Sequence, residues 1–306
     1  MKDFTRYQGI LPALYACYDT FGAVSPEGVR SLTRHLAQQG CRGLYVGGSS
    51  GECIYQSVAE RKLVLETVME AAQGTQLSVI AHVACNNTAD SQELAAHAEG
   101  LGVDAIAAIP PIYFRLPEHA IARYWNDISA AAPNTDLILY NIPQLAGVSL
   151  TLPLLREMLH NPRVIGVKNS SMPVQDIQMW KDEGGQDFIV FNGPDEQFLA
   201  GLSMGAAGGI GGTYAAMPAL FLKVWELYHT GDMTRAAQVQ NDICRIIYAM
   251  CACKGNLYAV IKAILKRLHG LELGSVRAPL PPLAAEDETQ VAHCCGLIQT
   301  AIQTHC

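Results

Sequence analysis

Charge is scarce in this chain: 16% of its 306 residues are Asp, Glu, Lys or Arg, against 50% hydrophobic ones. A composition so poor in charge suits a closely packed α/β protein with part of its surface hidden in an oligomer interface. Basic residues are the scarcer sign, 21 against 28 acidic, for a formal net charge of −7. No run of lysines and arginines interleaves with aromatics, which excludes the usual footprint of a nucleic-acid partner. The acidic balance also repels anions at long range, so any carboxylate must be captured by a local site. No apolar stretch reaches the ~20 residues that cross a bilayer, and no secretory h-region precedes the first predicted strand. The opening Met1-Lys2-Asp3-Phe4-Thr5-Arg6 is polar. The expected compartment is the cytoplasm, with no membrane partner.

Ligand-binding signatures are missing as well. No G-x-G-x-x-G follows the first strand, and there is no P-loop. The ten cysteines lack zinc-ribbon spacing: Cys251 and Cys253 have a single residue between them, and Cys294 and Cys295 are adjacent. His293 and His305 lie near the last pair, but incidental thiols on a C-terminal helix are the plainer reading, and no metal is expected. Cys17, Cys41, Cys53 and Cys85 sit singly in or near apolar runs, as small buried residues do.

What is present is a regular alternation. Short β-rich runs over 10–15, 43–47, 78–83, 105–109, 137–140, 165–168, 189–192 and 209–212 are separated by helical patterns. Several are apolar throughout, as strands covered on both faces are. In the helical stretch 59–72 the charges fall on one side and Leu, Val and Met on the other. Eight such units predict a (β/α)8 TIM barrel rather than an open doubly wound sheet. Helices predicted over 217–228, 233–253 and 257–269 follow, with Thr230-Gly231-Asp232 as a stop-and-start signal. The expected organisation is a barrel over 1–230 and a C-terminal helical extension over 231–306, with a proline-bearing linker at 277–283 before a last helix.

In a barrel of this kind the reacting groups sit where strands end. Lys168 closes the apolar run Val164-Ile165-Gly166-Val167. Desolvation there lowers an ammonium pKa and frees the amine to attack a ketone, although a strand-end lysine can also be a plain surface residue. Tyr140 ends the preceding strand, where a phenol beside an amine can shuttle protons or simply pack. Gly47-Gly48-Ser49-Ser50-Gly51-Glu52 follows the second strand: glycines aim N–H groups at an anion and the hydroxyls of Ser49 and Ser50 add donors, but such a loop is often only a turn. Asp195 and Glu196, after the seventh strand, either accept hydrogen bonds from sugar hydroxyls or charge a helix N-terminus. Gly211 and Gly212 close the eighth strand. His82, at the end of the third, is read as structural.

Gly48-Ser49-Ser50-Gly51-Glu52, Tyr140-Asn141-Ile142-Pro143, Lys168 and Gly193-Pro194-Asp195-Glu196, in that order at the ends of four strands, resemble the pyruvate-dependent class I aldolases, the family of dihydrodipicolinate synthase and N-acetylneuraminate lyase. The similarity runs from about Gly9 to at least Leu283. It implies a lysine Schiff base on Lys168, a proton relay through Tyr140, a carboxylate site at Ser49 and Ser50, and no cofactor. It also implies substrate contacts at Gly193, Gly211 and Gly212, and at Ser170, which stands where some lyases have threonine. Tyr113 matches a tyrosine that family members lend to a neighbouring subunit, which implies a homotetramer. Within the family, the sialic acid branch is favoured. Synthases usually carry a carboxylate-binding arginine five residues after the tyrosine, and here that position is Leu145. By resemblance, Asp195 and Glu196 would bind the glycerol tail of a sialic acid. Departures are Ser50 for a common threonine, Pro194 for a common aromatic, and Gly212 for a serine that touches the sugar. The rival expectations are another pyruvate aldolase, acting on a 2-keto-3-deoxy sugar acid or making dihydrodipicolinate, and a non-catalytic barrel that senses a keto acid.

Overall fold

A computed structural model describes residues 4–306; the first three residues of the polar opening lie outside them. The first half of the chain runs β1 (Gly9–Pro12), α1 (Pro26–Gln38), β2 (Gly43–Val46), α2 (Val58–Ala72), β3 (Ser78–His82), α3 (Thr88–Leu101), β4 (Ala105–Ala108) and α4 (Glu118–Ala131). The second half of the barrel runs β5 (Asp136–Asn141), α5 (Pro143–Ala146), α6 (Leu152–Met158), β6 (Val164–Asn169), α7 (Gln175–Gly184), β7 (Ile189–Asn192), α8 (Phe198–Ser203), β8 (Gly208–Gly211) and α9 (Pro218–Thr230). Three more helices follow: α10 (Met233–Cys251), α11 (Leu257–His269) and α12 (Asp287–His305).

Every strand pairing is parallel, in the order β1-β8-β7-β6-β5-β4-β3-β2. That is the sequence order taken round a circle. The ends meet where Leu14 N donates to Tyr45 O and Arg42 N to Ile10 O, each at 2.9 Å. The eight-stranded parallel barrel expected from the alternation is the fold of this chain.

The apolar runs are explained by what lies on their two faces. Leu11, Tyr45, Ile80, Ile138, Ile189 and Phe191 fill the barrel's interior. Their neighbours Ile10, Leu44, Val79, Leu137 and Val190 pack outward against the helices. With no wet face there is no polar alternation to read. Helix starts are fixed by side-chain caps that take up otherwise orphaned N–H groups. Ser25 accepts from Gly28 N, Asn87 from Asp90 N, and Ser57 forms a reciprocal capping box with Glu60.

The observed strands differ from the expected ones mainly at their ends. The run at 10–15 leaves the ladder after Pro12, whereas β5 and β6 each continue one residue further, into Asn141 and Asn169. The turn at Thr230-Gly231-Asp232 has a physical cause. Gly231 takes a left-handed φ of 82°, and the Asp232 side chain accepts Arg235 N to start α10. The helices beyond the barrel pack back onto it: Gln240 of α10 donates to the backbone carbonyl of Asp195 at 3.1 Å and accepts Leu199 N at 3.0 Å. Among the described residues, no helix is long and apolar enough to cross a membrane.

Candidate active site

Lys168 stands at the C-terminal end of β6, level in register with Tyr140 on β5 and Phe191 on β7. Its side chain is 5% exposed. The Nζ lies 3.7 Å from the centroid of the Tyr140 ring and 4.7 Å from that of Tyr45, which projects inward from β2. Burial lowers the ammonium from 10.5 to about 7, with the Asp195 carboxylate pulling weakly the other way. Aromatic faces stabilise a cation less than a carboxylate in contact would, so desolvation dominates. The result is an amine that is substantially unprotonated at neutral pH. Lys262, equally buried, shows the alternative: it keeps an ion pair with Glu52 at 3.1 Å.

Tyr140 is buried, and its phenol is pushed up to about 12 by that burial, against hydrogen bonds with the side chains of Ser170 and Ser49. Strand β5 and the loops after β2 and β6 therefore converge on one hydroxyl. Ser50, which follows Ser49 in the chain, is buried, hydrogen-bonded to Tyr258 of α11, and close to the backbone of Gly212. The loop's first turn needs its glycines. Gly47 has φ 74°, and a β-carbon on Gly48 would come within 2.6 Å of the Tyr45 ring.

Asp195 is buried, and Glu196, next to it, is exposed. One Asp195 oxygen accepts Thr213 N at 2.6 Å and the Thr213 hydroxyl at 2.5 Å. The other, Oδ1, is buried without a hydrogen-bond partner among the described residues. Burial raises this carboxyl from 3.8 to about 7, outweighing the two Thr213 hydrogen bonds. Gly211 leaves room for it, since a β-carbon there would overlap both Oδ1 and the Tyr214 ring. Gly193 likewise sits against the Ser170 hydroxyl and the Asn169 carbonyl. An unsatisfied buried acceptor is costly, and a hydroxyl-bearing ligand would satisfy it.

Tyr113 is not brought to Lys168 by its own chain. It is 90% exposed, in a left-handed conformation with φ 88°, and its ring meets Phe114 edge-on at 5.0 Å. His82 is engaged through both ring nitrogens, Nδ1 donating to Gly47 O at 2.9 Å and Nε2 accepting Ile109 N at 3.4 Å. That fits a structural tautomer. Leu145 is exposed at the rim of a cavity of about 560 Å3 that also takes in Ser49 and Tyr258.

Several participants escape a reading of strand ends. Tyr45 forms one wall around the amine from a mid-strand position. Asn141, Asn169 and Asn192 lie in register one step beyond the Tyr140–Lys168–Phe191 layer. Asn141 Nδ2 donates to Asn169 Oδ1 at 3.0 Å, and Asn192 Nδ2 to Pro194 O at 2.7 Å, which ties down the loops that carry Ser170 and Asp195. The signal was there: three successive strands each end in asparagine. Tyr258 and Gln240 carried no such signal.

The chain matches the dihydrodipicolinate synthetase family over residues 6–296. The chain belongs to that family. Among its curated members, the N-acetylneuraminate lyase of Mediterraneibacter gnavus is 66% identical over 287 residues, 94% of this chain and 91% of that protein. The N-acetylneuraminate lyase of Escherichia coli is 34% identical over 299 residues, 98% of each chain. A solved structure of a Ruminococcus gnavus sialic acid aldolase, a catalytic lysine mutant, superposes over 100% of both chains with a TM-score of 0.99 and 62% identity. The order of motifs that suggested the family is thus matched by nearly the whole chain.

Proposed function

We propose that this chain is an N-acetylneuraminate lyase, a carbon–carbon lyase that splits the sialic acid into N-acetylmannosamine and pyruvate through a Schiff base on Lys168. The observation that carries the reading is the buried amine at the end of β6, poised near neutrality by desolvation. The names of the relatives supply the substrate class. The rival readings lack such support: none of these relatives is a sugar-acid aldolase of another kind, and a mere sensor would not need a free amine.

The open-chain substrate enters with its carboxylate on Ser49, Ser50 and nearby N–H groups. Lys168 attacks C2, the ketone carbon; water leaves and a protonated imine forms. That cation draws electrons from the C3–C4 bond as the C4 hydroxyl gives up its proton. N-acetylmannosamine departs, the enamine takes a proton at C3, and hydrolysis returns pyruvate and the amine. Tyr140 relays protons, with Ser170 and Ser49 as its partners. Asp195 accepts from sugar hydroxyls through its unpartnered oxygen, with Glu196 at the open end and Gly193, Gly211 and Gly212 giving the sugar room. No cofactor and no metal enters this scheme. Tyr113, too exposed to serve its own chain, is offered to a neighbouring subunit of a homotetramer. The enzyme works in the cytoplasm on small molecules, without a nucleic-acid partner, in the breakdown of sialic acid.

The direct test is a coupled assay for pyruvate released from N-acetylneuraminate, run beside 2-keto-3-deoxy sugar acids. Release from the sialic acid alone is expected; release only from the others overturns the reading. The pH dependence adds a second check. Lys168 is reactive only when deprotonated, and Asp195 accepts best when ionised; both groups sit near about 7. Since kcat/KM reports the free enzyme, it should fall below about pH 7 by between ten- and a hundredfold per unit. Asp195→Asn should leave the tenfold limb. A profile flat between about pH 6 and 8 would contradict an amine poised near neutrality.

A further inference from the structure

The loop that carries Ser49 and Ser50 is gripped from the far end of the sequence. Its last residue, Glu52, takes a left-handed conformation with φ 53°, unfavourable for a side chain with a β-carbon. That twist turns the Glu52 carboxylate into the protein, where it is 1% exposed. There one oxygen accepts from Lys262 Nζ on α11 at 3.1 Å, and the other accepts Arg277 N at 2.8 Å. Lys262 also donates to Ser275 O at 2.7 Å. Within the loop, Glu52 N donates to Ser49 O and Gly51 N to Gly48 O, each at 3.0 Å. A displacement of Glu52 would therefore be felt directly at Ser49. One helical turn before Lys262, on the same face of α11, Tyr258 hydrogen-bonds Ser50.

We propose that Lys262 is a positioning residue: through its ion pair with Glu52 it holds the loop 48–52 so that Ser49 and Ser50 meet the substrate's carboxylate. This rests on the lyase reading above and names the part of the chain that sets its carboxylate site. A buried ion pair gives little net stability over well-packed apolar side chains, so stability alone does not account for one here. It does fix geometry, because each charge tolerates only a partner placed against it.

The test separates carboxylate capture from amine chemistry. Lys262→Met is compared with Lys262→Arg, which keeps the charge, and with the doubly neutral Glu52→Gln/Lys262→Met, which leaves no buried charge unpaired if the single variant folds poorly. Steady-state cleavage of N-acetylneuraminate is measured, together with borohydride trapping of Lys168 by pyruvate and by hydroxyacetone, a ketone without a carboxylate. In Lys262→Met and in the double variant, KM should rise about tenfold or more while kcat changes less than about threefold. The pyruvate concentration needed for trapping should rise in parallel, hydroxyacetone trapping should be unchanged, and Lys262→Arg should recover most of KM. A wild-type KM in a folded variant, or equal losses for both ketones, overturns the proposal. Failure of the wild-type protein to be trapped by pyruvate would instead strike the Schiff-base reading.

Discussion

Lys168→Ala is expected to reduce turnover of N-acetylneuraminate by at least about four orders of magnitude, a loss of more than about 5 kcal/mol of transition-state stabilisation. The reason is covalent, since without the amine there is no imine to receive the electrons of the breaking bond. Substrate should still bind, because Ser49, Ser50 and Asp195 stay in place. Borohydride with pyruvate should modify Lys168 in the wild-type protein and nothing in the variant. Lys262, also buried, cannot substitute, since it is committed to Glu52. An adduct on any other lysine, or turnover without modification of Lys168, would sink the assignment. A stability measurement gives an independent readout. Holding Lys168 at about 7 rather than 10.5 costs the folded state up to about 5 kcal/mol, since one pKa unit is about 1.4 kcal/mol. That cost is absent above the unfolded pKa, grows as pH falls through the window between the two values, and is complete below about 7. Lys168→Met should therefore be more stable than wild type at neutral and acid pH, with the gain vanishing above about pH 10.5. Equal stability across that range would mean that the amine is not desolvated.

The barrel was legible because its physics is local and repeated. Strands buried on both faces must be apolar, and each needs a helix's worth of chain before the next. The burial of Lys168 was legible for a related reason: a lysine that ends a run such as Val164-Ile165-Gly166-Val167 has few ways to stay hydrated. Other features depend on distance in the fold. Tyr45 walls the amine only because the barrel's curvature brings β2 across from β6. Lys262 meets Glu52 across 210 positions of sequence, and nothing in either neighbourhood announces the other. Tyr258 and Gln240 belong to helices that the sequence presents as an appendage. In the fold they touch Ser50 and the backbone of Asp195. The paired acids Asp195 and Glu196 also look equivalent in sequence. Burial separates them, leaving one a half-satisfied carboxyl raised to about 7 and the other an exposed charge.

Tyr140→Phe isolates a single oxygen. The substitution keeps the ring on which the Lys168 amine rests at 3.7 Å and removes only the hydroxyl shared with Ser49 and Ser170. If that hydroxyl relays protons, kcat should fall by roughly two to four orders of magnitude while KM moves little. Because burial holds the phenol up at about 12, it enters each cycle protonated. It can donate to the carbinolamine as water leaves, and it is restored by the proton taken from the C4 hydroxyl. The amine itself should keep its depressed pKa in this variant, so the acid limb of kcat/KM should stay near about 7 at the lower rate. Tyr140→Leu removes the ring as well. If the aromatic face helps to stabilise the cation, that variant should lower the Lys168 pKa further and shift the limb to lower pH. A Tyr140→Phe enzyme with a wild-type rate would take the phenol out of the mechanism and leave proton transfer to the substrate's own carboxylate or to Asp195, a buried acid with one unpartnered oxygen among the described residues.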